Sequence, residues 1–402
     1  MLNKKRFLLV GIAPAIIKNS IINLKKMGFE VVLLEKGKDL KKYGSLITEV
    51  DKFIEVDIND YESLETVSNA LNSEKNIDAM FSFREHALLN TAKIIKKFGL
   101  YGNEPEVIES CIDKLKTRNT LRDAGILSPK YTVYTNISDA KAFYKSVNGP
   151  VIIKPNNLSG SSGVTKIGDE EQLETKLQYC KDNYDDSIIM LEEFLTGQEI
   201  SIEAIIYKEE VTILGITQKL LYENTFIEAG HISPYTGCEM TKKQYKALVE
   251  KIVQALGIKF GPLHIEGFHT VKGFIVGEVH TRYGGDNIPI ITEIASNCDL
   301  AAPIFAELAN ASCDIKIDCN QFSGIKYLDV EPGRVKKISG VDEVLSIKGV
   351  VDIEINCKVG DVINPIRSNS DRVGWIIVKA STFEELNYTF NEAIKKLQIV
   401  TE

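Results

Sequence analysis

One stretch of the chain, Gly261 to Asp286, constrains the fold more than any other. Its sequence, GPLHIEGFHTVKGFIVGEVHTRYGGD, alternates apolar and polar residues on both sides of a break at 271–273. Such alternation indicates two strands, and a glycine that closes a three-residue loop is typical of a hairpin. If Thr270 pairs with Phe274 across that loop, two acidic residues, one on each strand, lie directly opposite each other.

The facing acids are Glu266 and Glu278, and they indicate a cation between the strands. Like charges directly opposite on a sheet destabilise it, so the pair needs a compensating positive charge. Carboxylates, together with water and phosphate oxygens, are the usual ligands of Mg²⁺. His280 and Arg282 follow on the same face, and the guanidinium of Arg282 offers a fixed fork for an oxyanion. The alternative interpretation is a solvated hairpin face with scattered charges.

Size and composition exclude several classes of protein. A chain of 402 residues is too long for one ordinary core, so two or three domains are expected. Its net charge of −8 and the lack of a basic stripe argue against a nucleic-acid partner. The seven cysteines are scattered, which predicts free thiols in the cytoplasm, and the first residues suit a strand and loop better than a secretion signal. No apolar run approaches about 18 residues, so no membrane span is expected.

Residues 1–106 predict a small α/β domain with a parallel sheet, because short apolar strands alternate with helical segments. The loop after the first strand lacks the G-x-G-x-x-G pattern, so a dinucleotide site is not expected. Ligand-binding groups gather beyond the carboxyl ends of parallel strands, where Glu85 follows the fourth strand. A substrate contact and an acid that only stabilises a helix start both remain open for Glu85.

The middle of the chain carries a lysine and a glycine-rich loop in succession. Lys154 ends an apolar strand, and the loop NNLSGSSG at 156–163 follows it. Glycines allow backbone N–H groups to approach an anion, so this pair predicts a phosphate site rather than an ordinary hairpin loop. In the next two strands, backbone groups at 192–195 are suited to read an adenine edge, and Glu199 is suited to accept ribose hydroxyls.

Two further segments contain candidate substrate residues. The loop 226–234 carries Glu228 and His231. Gly284 and Gly285 lead into a helix, whose N-terminal N–H groups can bind an anion. From residue 321 the sequence predicts one more α/β piece. No site chemistry is expected there, and the piece is interpreted as a lid or packing domain.

Taken together, these motifs resemble the ATP-grasp carboxylate–amine ligases. The matching segments, in the family's order over about residues 110–290, are DKLKTR, VIIKPNNLSGSSGV, LEEFLTGQEISIE, HIEGFHT and GEVHTRYGGD. Roughly the final 75 residues resemble the extra C-terminal domain of bacterial L-amino-acid ligases, which make dipeptides. The resemblance implies an α/β architecture with an N-terminal parallel-sheet domain at 1–106, a two-lobed ATP-grasp domain at 107–320 and a C-terminal α+β domain at 321–402.

The resemblance implies a role for each matching residue. The residues expected to bind ATP are Lys114, Lys154, Ser159, Gly160, Ser161, Ser162, Gly163, Glu192, Glu193, Phe194, Leu195 and Glu199. Those expected to hold the metal are Glu266, Glu278 and His280, where His280 replaces the asparagine of many family members and suits Mg²⁺ less well than an oxygen ligand. Those expected to contact the substrates are Glu85, Glu228, His231, Arg282, Gly284 and Gly285. The catalytic residues are expected to be Arg282, Glu278 and Lys154.

The implied reaction joins a carboxylate to an amine through an acyl-phosphate, with release of ADP and phosphate. ATP and Mg²⁺ are the expected cofactors, with Mn²⁺ as an alternative metal, and His231 and Glu85 are the candidates for the base that deprotonates the amine. The expected partners are small-molecule carboxylate and amine substrates, and a homodimer remains open. Two alternatives are a biotin-carboxylase-like or purine-pathway carboxylase that uses bicarbonate, and a protein that binds ATP without turning it over.

Overall fold

The computed structural model describes residues 4–157, 163–184, 187–223, 225–237 and 240–402. Four residues predicted to bind ATP lie outside these ranges: Ser159, Gly160, Ser161 and Ser162. Within the described ranges, none of the helices combines the length and the apolar character that crossing a membrane requires.

A parallel sheet forms the N-terminal part, as the alternation of apolar strands with helices predicts. Its strands are β1 (Arg6–Val10), β2 (Glu30–Glu35), β3 (Lys52–Glu55) and β4 (Ile77–Ser82). The helices are α1 (Ile17–Lys26), α2 (Gly37–Lys42), α3 (Tyr61–Glu74) and α4 (Glu85–Lys97). The order β3-β2-β1-β4 is parallel throughout, and β1 is buried along its whole length because its apolar side chains pack on both faces.

A helix pair leads into a small antiparallel lobe. The helices are α5 (Pro105–Ile112) and α6 (Lys114–Asp123). Asp113 caps α6 by accepting the N–H groups of Leu115 and Lys116 at 2.8 and 3.1 Å, so the helix starts at Lys114. The lobe consists of β5 (Tyr131–Val133), α7 (Ile137–Val147), β6 (Val151–Pro155), β7 (Thr165–Ile167), α8 (Leu173–Asn183) and β8 (Ile189–Glu193). Its strands lie in the order β5-β8-β6-β7.

A large antiparallel sheet carries most of the candidate site. Its first members and their helices are β9 (Gln198–Tyr207), β10 (Glu210–Leu221), β11 (Glu228–Ser233), α9 (Lys242–Leu256), β12 (Gly261–Thr270), β13 (Gly273–His280), α10 (Ile288–Ser296) and α11 (Ala302–Leu308). The C-terminal elements are β14 (Phe322–Tyr327), β15 (Gly333–Ser339), α12 (Val341–Leu345), β16 (Val350–Ile355), β17 (Val362–Ile363), β18 (Gly374–Ala380), α13 (Phe383–Lys396) and β19 (Gln398–Thr401). The order β13-β12-β9-β10-β11-β14-β18-β16 means that one sheet crosses residue 321.

The hairpin of β12 and β13 reaches the predicted register by a different route. Glu266 pairs with Glu278, as predicted, but Thr270 pairs with Gly273 rather than with Phe274. The turn therefore has two residues instead of three, and an extra residue, Gly277, bulges from β13 and restores the register. The predicted loop length was wrong, but the predicted pairing of the two acids is right, because the shorter turn and the bulge shift the register by equal and opposite amounts.

A half-buried acid, Glu293, lies where α10 comes near α1. Its carboxylate accepts the side-chain N–H of Asn19 at 3.1 Å and the backbone N–H of Leu300 at 3.0 Å. Burial raises the pKa of Glu293 to about 7, and the nearby charge of Asp299 adds to this effect. At a pH between 4.5 and about 7, Glu293 is therefore protonated in the folded protein but ionised in the unfolded chain.

Stability is thus expected to fall as the pH rises through that window. Glu293→Gln removes the penalty and should raise the free energy of unfolding by up to about 3 kcal/mol at pH 8, with little change at pH 5. Differential scanning calorimetry at the two pH values checks this, with Glu250→Gln on the exposed face of α9 as the control. Equal melting temperatures of Glu293→Gln and wild type at pH 8 would contradict it.

Candidate active site

Three cavities adjoin one another between the N-terminal sheet, the small lobe and the large sheet. The acid–lysine cavity, of about 260 Å³, is lined by Lys114, Lys154, Lys219, Glu266, Glu278, His280 and others. The N-terminal cavity, of about 340 Å³, is lined by Ala13, Pro14, Phe83, Glu85, His86, Tyr283, Gly284 and others. The hinge cavity, of about 150 Å³, is lined by Ile152, Glu192, Glu193, Phe194, Leu195, Phe226, Phe268 and others.

The two facing acids both line the acid–lysine cavity, each beside different cations. Glu278 Oε1 lies 3.5 Å from Lys114 Nζ and 4.0 Å from Lys154 Nζ, and Glu278 Oε2 lies 3.3 Å from His280 Nε2. Burial alone would raise the pKa of Glu278, but Lys114, His280 and Lys154 hold it well below its usual range. Glu278 is therefore ionised at neutral pH, as a metal ligand has to be.

Lys219 on β10 supplies the positive charge beside Glu266, and it was not among the residues predicted from the sequence. Its Nζ lies 2.6 Å from Glu199 Oε1, 3.2 Å from Glu266 Oε2 and 3.4 Å from Glu228 Oε1. Burial opposes its charge, but these three carboxylates raise the pKa of Lys219 well above its ordinary value. A lysine within a strand rich in apolar residues was the available signal, but its partners depend on how β9, β10 and β12 pair.

The side chain of Glu192 anchors Lys154, the lysine predicted to bind phosphate. Lys154 Nζ lies 2.8 Å from Glu192 Oε2, and Arg118 Nε donates to Glu192 Oε1 at 2.8 Å. Arg118 is fully buried and also donates to the carbonyl oxygen of Gly277, the bulge residue of β13. Arg118 therefore ties α6 to the small lobe and to the hairpin, a role that the motif DKLKTR alone did not indicate.

The predicted adenine segment lines the hinge cavity together with aromatic side chains from elsewhere in the chain. Glu192, Glu193, Phe194 and Leu195 all border this cavity, as does Glu199. Phe226, from the loop before β11, and Phe268, from β12, add apolar surface to this cavity. Neither was predicted from the sequence as a site residue. The centroids of the Phe194 and Phe226 rings are 6.4 Å apart.

Gly163, the last residue of the glycine-rich loop predicted to bind phosphate, packs closely against the small lobe. Gly163 has a φ of +74°, and a Cβ atom at this position would lie 2.9 Å from Pro155 and 3.0 Å from Tyr184. A glycine is therefore required here both by the backbone conformation and by the space.

Glu85 at the start of α4 meets the hairpin, which brings the N-terminal part to the site. Arg282 Nε donates to Glu85 Oε2, and His280 Nδ1 lies 3.4 Å from Glu85 Oε1. Burial opposes ionisation of Glu85, but His280 and Arg282 hold its pKa well below the usual range. Glu85 therefore begins α4, lines the N-terminal cavity and accepts a hydrogen bond from Arg282, so it does more than stabilise a helix start, while its contact with a substrate stays a prediction.

The C-terminal piece, expected only to pack or to act as a lid, places side chains at the acid–lysine cavity. Arg372 donates to Asp286 Oδ2 at 2.8 Å and to Asp286 Oδ1 at 2.6 Å, and Asn369 lines the cavity. His231 Nε2 lies 3.6 Å from Asp286 Oδ2. Burial opposes ionisation of Asp286, but His231 and Arg372 hold its pKa well below the usual range. The expectation of no site chemistry in this piece therefore has to be corrected.

Arg282, Gly285 and Asp286 line both the N-terminal cavity and the acid–lysine cavity. The acid–lysine cavity in turn shares Lys154 and Glu278 with the hinge cavity. The three cavities thus form one continuous row, in which the two acids lie in the middle and Arg282 stands at one junction. Such a row is suited to bring an elongated ligand against a second, smaller one.

The facing acids fit an open metal site rather than a closed one. The described part of the chain has no cluster of three or more His, Cys, Asp and Glu side chains arranged to hold a metal ion. Mg²⁺, however, is commonly bound by one or two carboxylates, with water and substrate phosphate oxygens as its other ligands. Glu266 and Glu278, opposed on β12 and β13, suit Mg²⁺ of this kind, and Mn²⁺ on the same grounds.

Two family models match the chain. One is described as an ATP-grasp domain and matches residues 147–290, and the other is described as L-amino acid ligase C-terminal domain 2 and matches residues 326–402. Among relatives, the alanine–anticapsin ligase of Bacillus subtilis (strain 168) is 30% identical over 212 residues, which is 47% of this chain and 44% of that protein. Protein y4rH of Sinorhizobium fredii is 25% identical over 351 residues, 85% of this chain and 72% of that protein. The chain spans less than half of the length of the anticapsin ligase.

Solved structures confirm the predicted fold. The L-amino acid ligase from Bacillus licheniformis aligns over 100% of both chains with a TM-score of 0.83 and 22% identity. Phosphoribosylglycinamide synthetase from Anaerococcus prevotii also aligns over 100% of both chains, with a TM-score of 0.77 and 19% identity. The identification made from the sequence motifs is thus confirmed: the chain contains an ATP-grasp domain and the C-terminal domain of the L-amino acid ligases, and it shares the fold of a solved L-amino acid ligase along its whole length.

Proposed function

We propose that the protein joins the carboxylate of an amino acid to an amine at the expense of ATP, through an acyl-phosphate. The observation that carries this proposal is the position of Arg282 at the junction between the N-terminal cavity and the acid–lysine cavity. A cation at that junction can contact the carboxylate of one ligand and the terminal phosphate of another at the same time. The relative described as an alanine–anticapsin ligase supports an amino acid as the acid substrate.

ATP is proposed to lie along the hinge cavity and the acid–lysine cavity. The apolar faces of Ile152, Phe226 and Phe268 suit an adenine ring, and Glu199 is proposed to accept ribose hydroxyls. Lys114 and Lys154 offset the charge of the phosphates. Glu266 and Glu278 would hold Mg²⁺, which when bound neutralises phosphate charge and polarises the phosphoryl group.

His280 is proposed to orient Glu278 rather than to coordinate the metal. Its Nε2 lies 3.3 Å from Glu278 Oε2 and its Nδ1 lies 3.4 Å from Glu85 Oε1, so both ring nitrogens already have carboxylate neighbours. Glu85 and Glu278 thereby keep a fixed relation to each other across two domains.

The chemistry proceeds in two displacements. A carboxylate oxygen of the acid attacks the γ-phosphorus, the bond to the β–γ bridging oxygen breaks, and ADP leaves. The amine nitrogen then attacks the acyl carbon, and phosphate leaves with the oxygen that it gained. Arg282 is proposed to hold first the carboxylate and then the tetrahedral oxyanion, while the surrounding domains keep water from the acyl-phosphate.

His231 is proposed to accept the proton of the attacking amine. It lines the acid–lysine cavity, and its Nε2 lies 3.6 Å from the ionised Asp286. Glu85, the other candidate, is less suited because Arg282 and His280 stabilise its ionised form, which weakens it as a base.

Phosphate release from pairs of amino acids, with mass spectrometry of the products, tests the function. Formation of a dipeptide and stoichiometric ADP supports the proposal. Phosphate release that needs bicarbonate and no amino acid would instead favour a carboxylase, and ATP binding without ADP formation in any mixture would favour a non-catalytic role. Size-exclusion chromatography with light scattering tests the homodimer that the sequence left open.

Arg372→Ala is expected to raise the KM of an amino acid substrate by about 10-fold or more, because a charge-assisted hydrogen bond to Asp286 is lost. Affinity for ADP should stay within about twofold, because Arg372 does not line the hinge cavity. Steady-state phosphate release and ADP titration measure the two quantities, and Arg367→Ala, an exposed arginine of the same piece, is the control. An unchanged KM for every substrate would leave the C-terminal piece with a packing role only.

A further inference from the structure

A buried polar chain links Glu266 to the loop that contains Gly284. It begins at Glu203 on β9, whose side chain is 1% exposed. Glu203 Oε2 accepts the backbone N–H of Gly284 at 3.2 Å, and Glu203 Oε1 accepts the hydroxyl of Ser201 at 3.0 Å. Glu203 Oε1 also lies 2.5 Å from Nδ1 of His264. A buried carboxylate with this many partners is expected to have one orientation only.

His264 extends this chain to the proposed metal acid. Its Nε2 lies 2.8 Å from Glu266 Oε1, so its two nitrogens bridge Glu203 and Glu266. The other carboxylate oxygen of Glu266 contacts Lys219 at 3.2 Å. A carboxylate has about four lone-pair sites, so Glu266 can keep both contacts and still bind a metal ion.

The sheet register places these side chains together. His264 on β12 pairs with Glu203 on β9 and with His280 on β13, so the residue lies between two strands that also carry site residues. The imidazole also packs directly on the glycine loop, since a Cβ atom on Gly284 would lie 2.9 Å from both Cε1 and Nδ1 of His264. The ring therefore contacts the glycine loop on one side and Glu266 on the other.

We infer that Glu203 and His264 are positioning residues, which fix the carboxylate of Glu266 for the metal and couple its orientation to the Gly284 loop. The inference rests on the proposed function, because it takes Glu266 as a metal ligand. Replacement of a residue that hydrogen-bonds to a metal ligand commonly lowers metal affinity by about 10–100-fold. Because Gly284 lies in the wall of the N-terminal cavity, Glu203 and His264 also connect Glu266 to that cavity.

The test is titration of MnCl₂ into the full-length protein in the presence of ADP, followed by electron paramagnetic resonance of free Mn²⁺. Glu203→Gln keeps the shape of the side chain and is expected to weaken Mn²⁺ binding by about 10–100-fold. The affinity for ADP without metal should stay within about twofold. A general loss of structure would weaken both, so this difference separates positioning from folding. Thr217→Val, in the neighbouring strand β10, is the control.

A double variant tests whether the two residues act as one unit. If they do, Glu203→Gln combined with His264→Gln should lose little more Mn²⁺ affinity than the weaker-binding single variant. The inference would be overturned if the loss of Mn²⁺ affinity in the double variant equals the product of the two single losses, or if both single variants bind Mn²⁺ like wild type. If wild-type protein itself binds no Mn²⁺ with ADP, the proposed metal site fails and this inference fails with it.

Gly284→Ala tests the chain from its other end, in case the carboxylate variants do not fold. Its Cβ atom would displace the imidazole of His264, so Mn²⁺ affinity should fall although Gly284 lies on the wall of the other cavity. Gly168→Ala, at an exposed position outside the three cavities, is the control for Mn²⁺ affinity, because a Cβ atom there has no neighbour within 4 Å. Equal Mn²⁺ affinity of the two alanine variants would overturn the coupling.

Discussion

Glu278→Ala is expected to abolish ADP formation while the protein stays folded. Glu278 lies within 4.0 Å of Lys114, Lys154 and His280, and it is one of the two carboxylates proposed to hold the metal. Its loss removes a proposed metal ligand and leaves two lysines without their shared counter-charge. Metal stabilisation of a transferring phosphoryl group is worth several kcal/mol, so we expect a loss of about 10³-fold or more.

A coupled assay of ADP release at saturating Mg²⁺ measures this loss. Glu354→Ala, an exposed acid on the edge strand β16, should retain wild-type activity, and circular dichroism should show the same secondary structure for both variants. The isosteric Glu278→Gln should behave like the alanine variant, because an amide lacks the negative charge. Near-normal turnover in either Glu278 variant would remove the metal assignment and, with it, the proposed geometry of phosphoryl transfer.

Arg282→Ala is expected to lower kcat for amide formation by about 10²–10³-fold, the usual effect of losing one preorganised donor to an oxyanion. The physical reason is that Arg282 lines both cavities at their junction, where the proposed reaction would place the negative charge first of the carboxylate and phosphate and then of the tetrahedral intermediate. Its orientation depends on Glu85, which accepts a hydrogen bond from Arg282 Nε.

Arg282→Lys separates charge from geometry, because lysine keeps the charge but lacks the planar fork. If the fork matters, the lysine variant should recover less than about a tenth of the wild-type kcat. Single-turnover measurement of ADP and dipeptide shows which of the two displacements slows, and Arg334→Ala, an exposed arginine on β15, is the control. Wild-type kcat in Arg282→Ala would exclude Arg282 from the reaction.

The hairpin illustrates how far the sequence carried the site. Alternation placed Glu266 and Glu278 on the correct faces, and their register agrees with the structure although the turn is shorter and Gly277 bulges. The pattern of apolar and polar residues fixes which side a residue faces, because that property depends on neighbours one or two positions away. The bulge was not predictable in the same way, because it depends on contacts such as that between Arg118 and the carbonyl of Gly277.

The residues that sequence reasoning missed share one property: each acts through a partner that is distant in the chain. Lys219 meets Glu266 across 47 positions, and Arg118 meets Glu192 across 74 positions. Arg372 reaches Asp286 from the C-terminal piece, across 86 positions. A lysine or arginine in isolation usually indicates a solvated surface, and even the position of Lys219 in a largely apolar strand did not reveal its acidic partners.

The segment 226–234, predicted as a loop, contains the strand β11 (Glu228–Ser233), and β10 was not predicted. The sequence alone predicted the alternation of strands and helices in the N-terminal part, the two opposed acids, the lysine ahead of a glycine-rich loop and the resemblance to the ATP-grasp ligases. These features are local, since they follow from periodicity and from short motifs. Only the tertiary structure decided which cation neutralises each acid, that Glu203 and His264 link Glu266 to Gly284, and that the C-terminal piece lines the cavity with Asn369 and binds Asp286 through Arg372. The physical reason is that buried charges need partners, and in this protein the pairing of distant strands decides which partners come within reach.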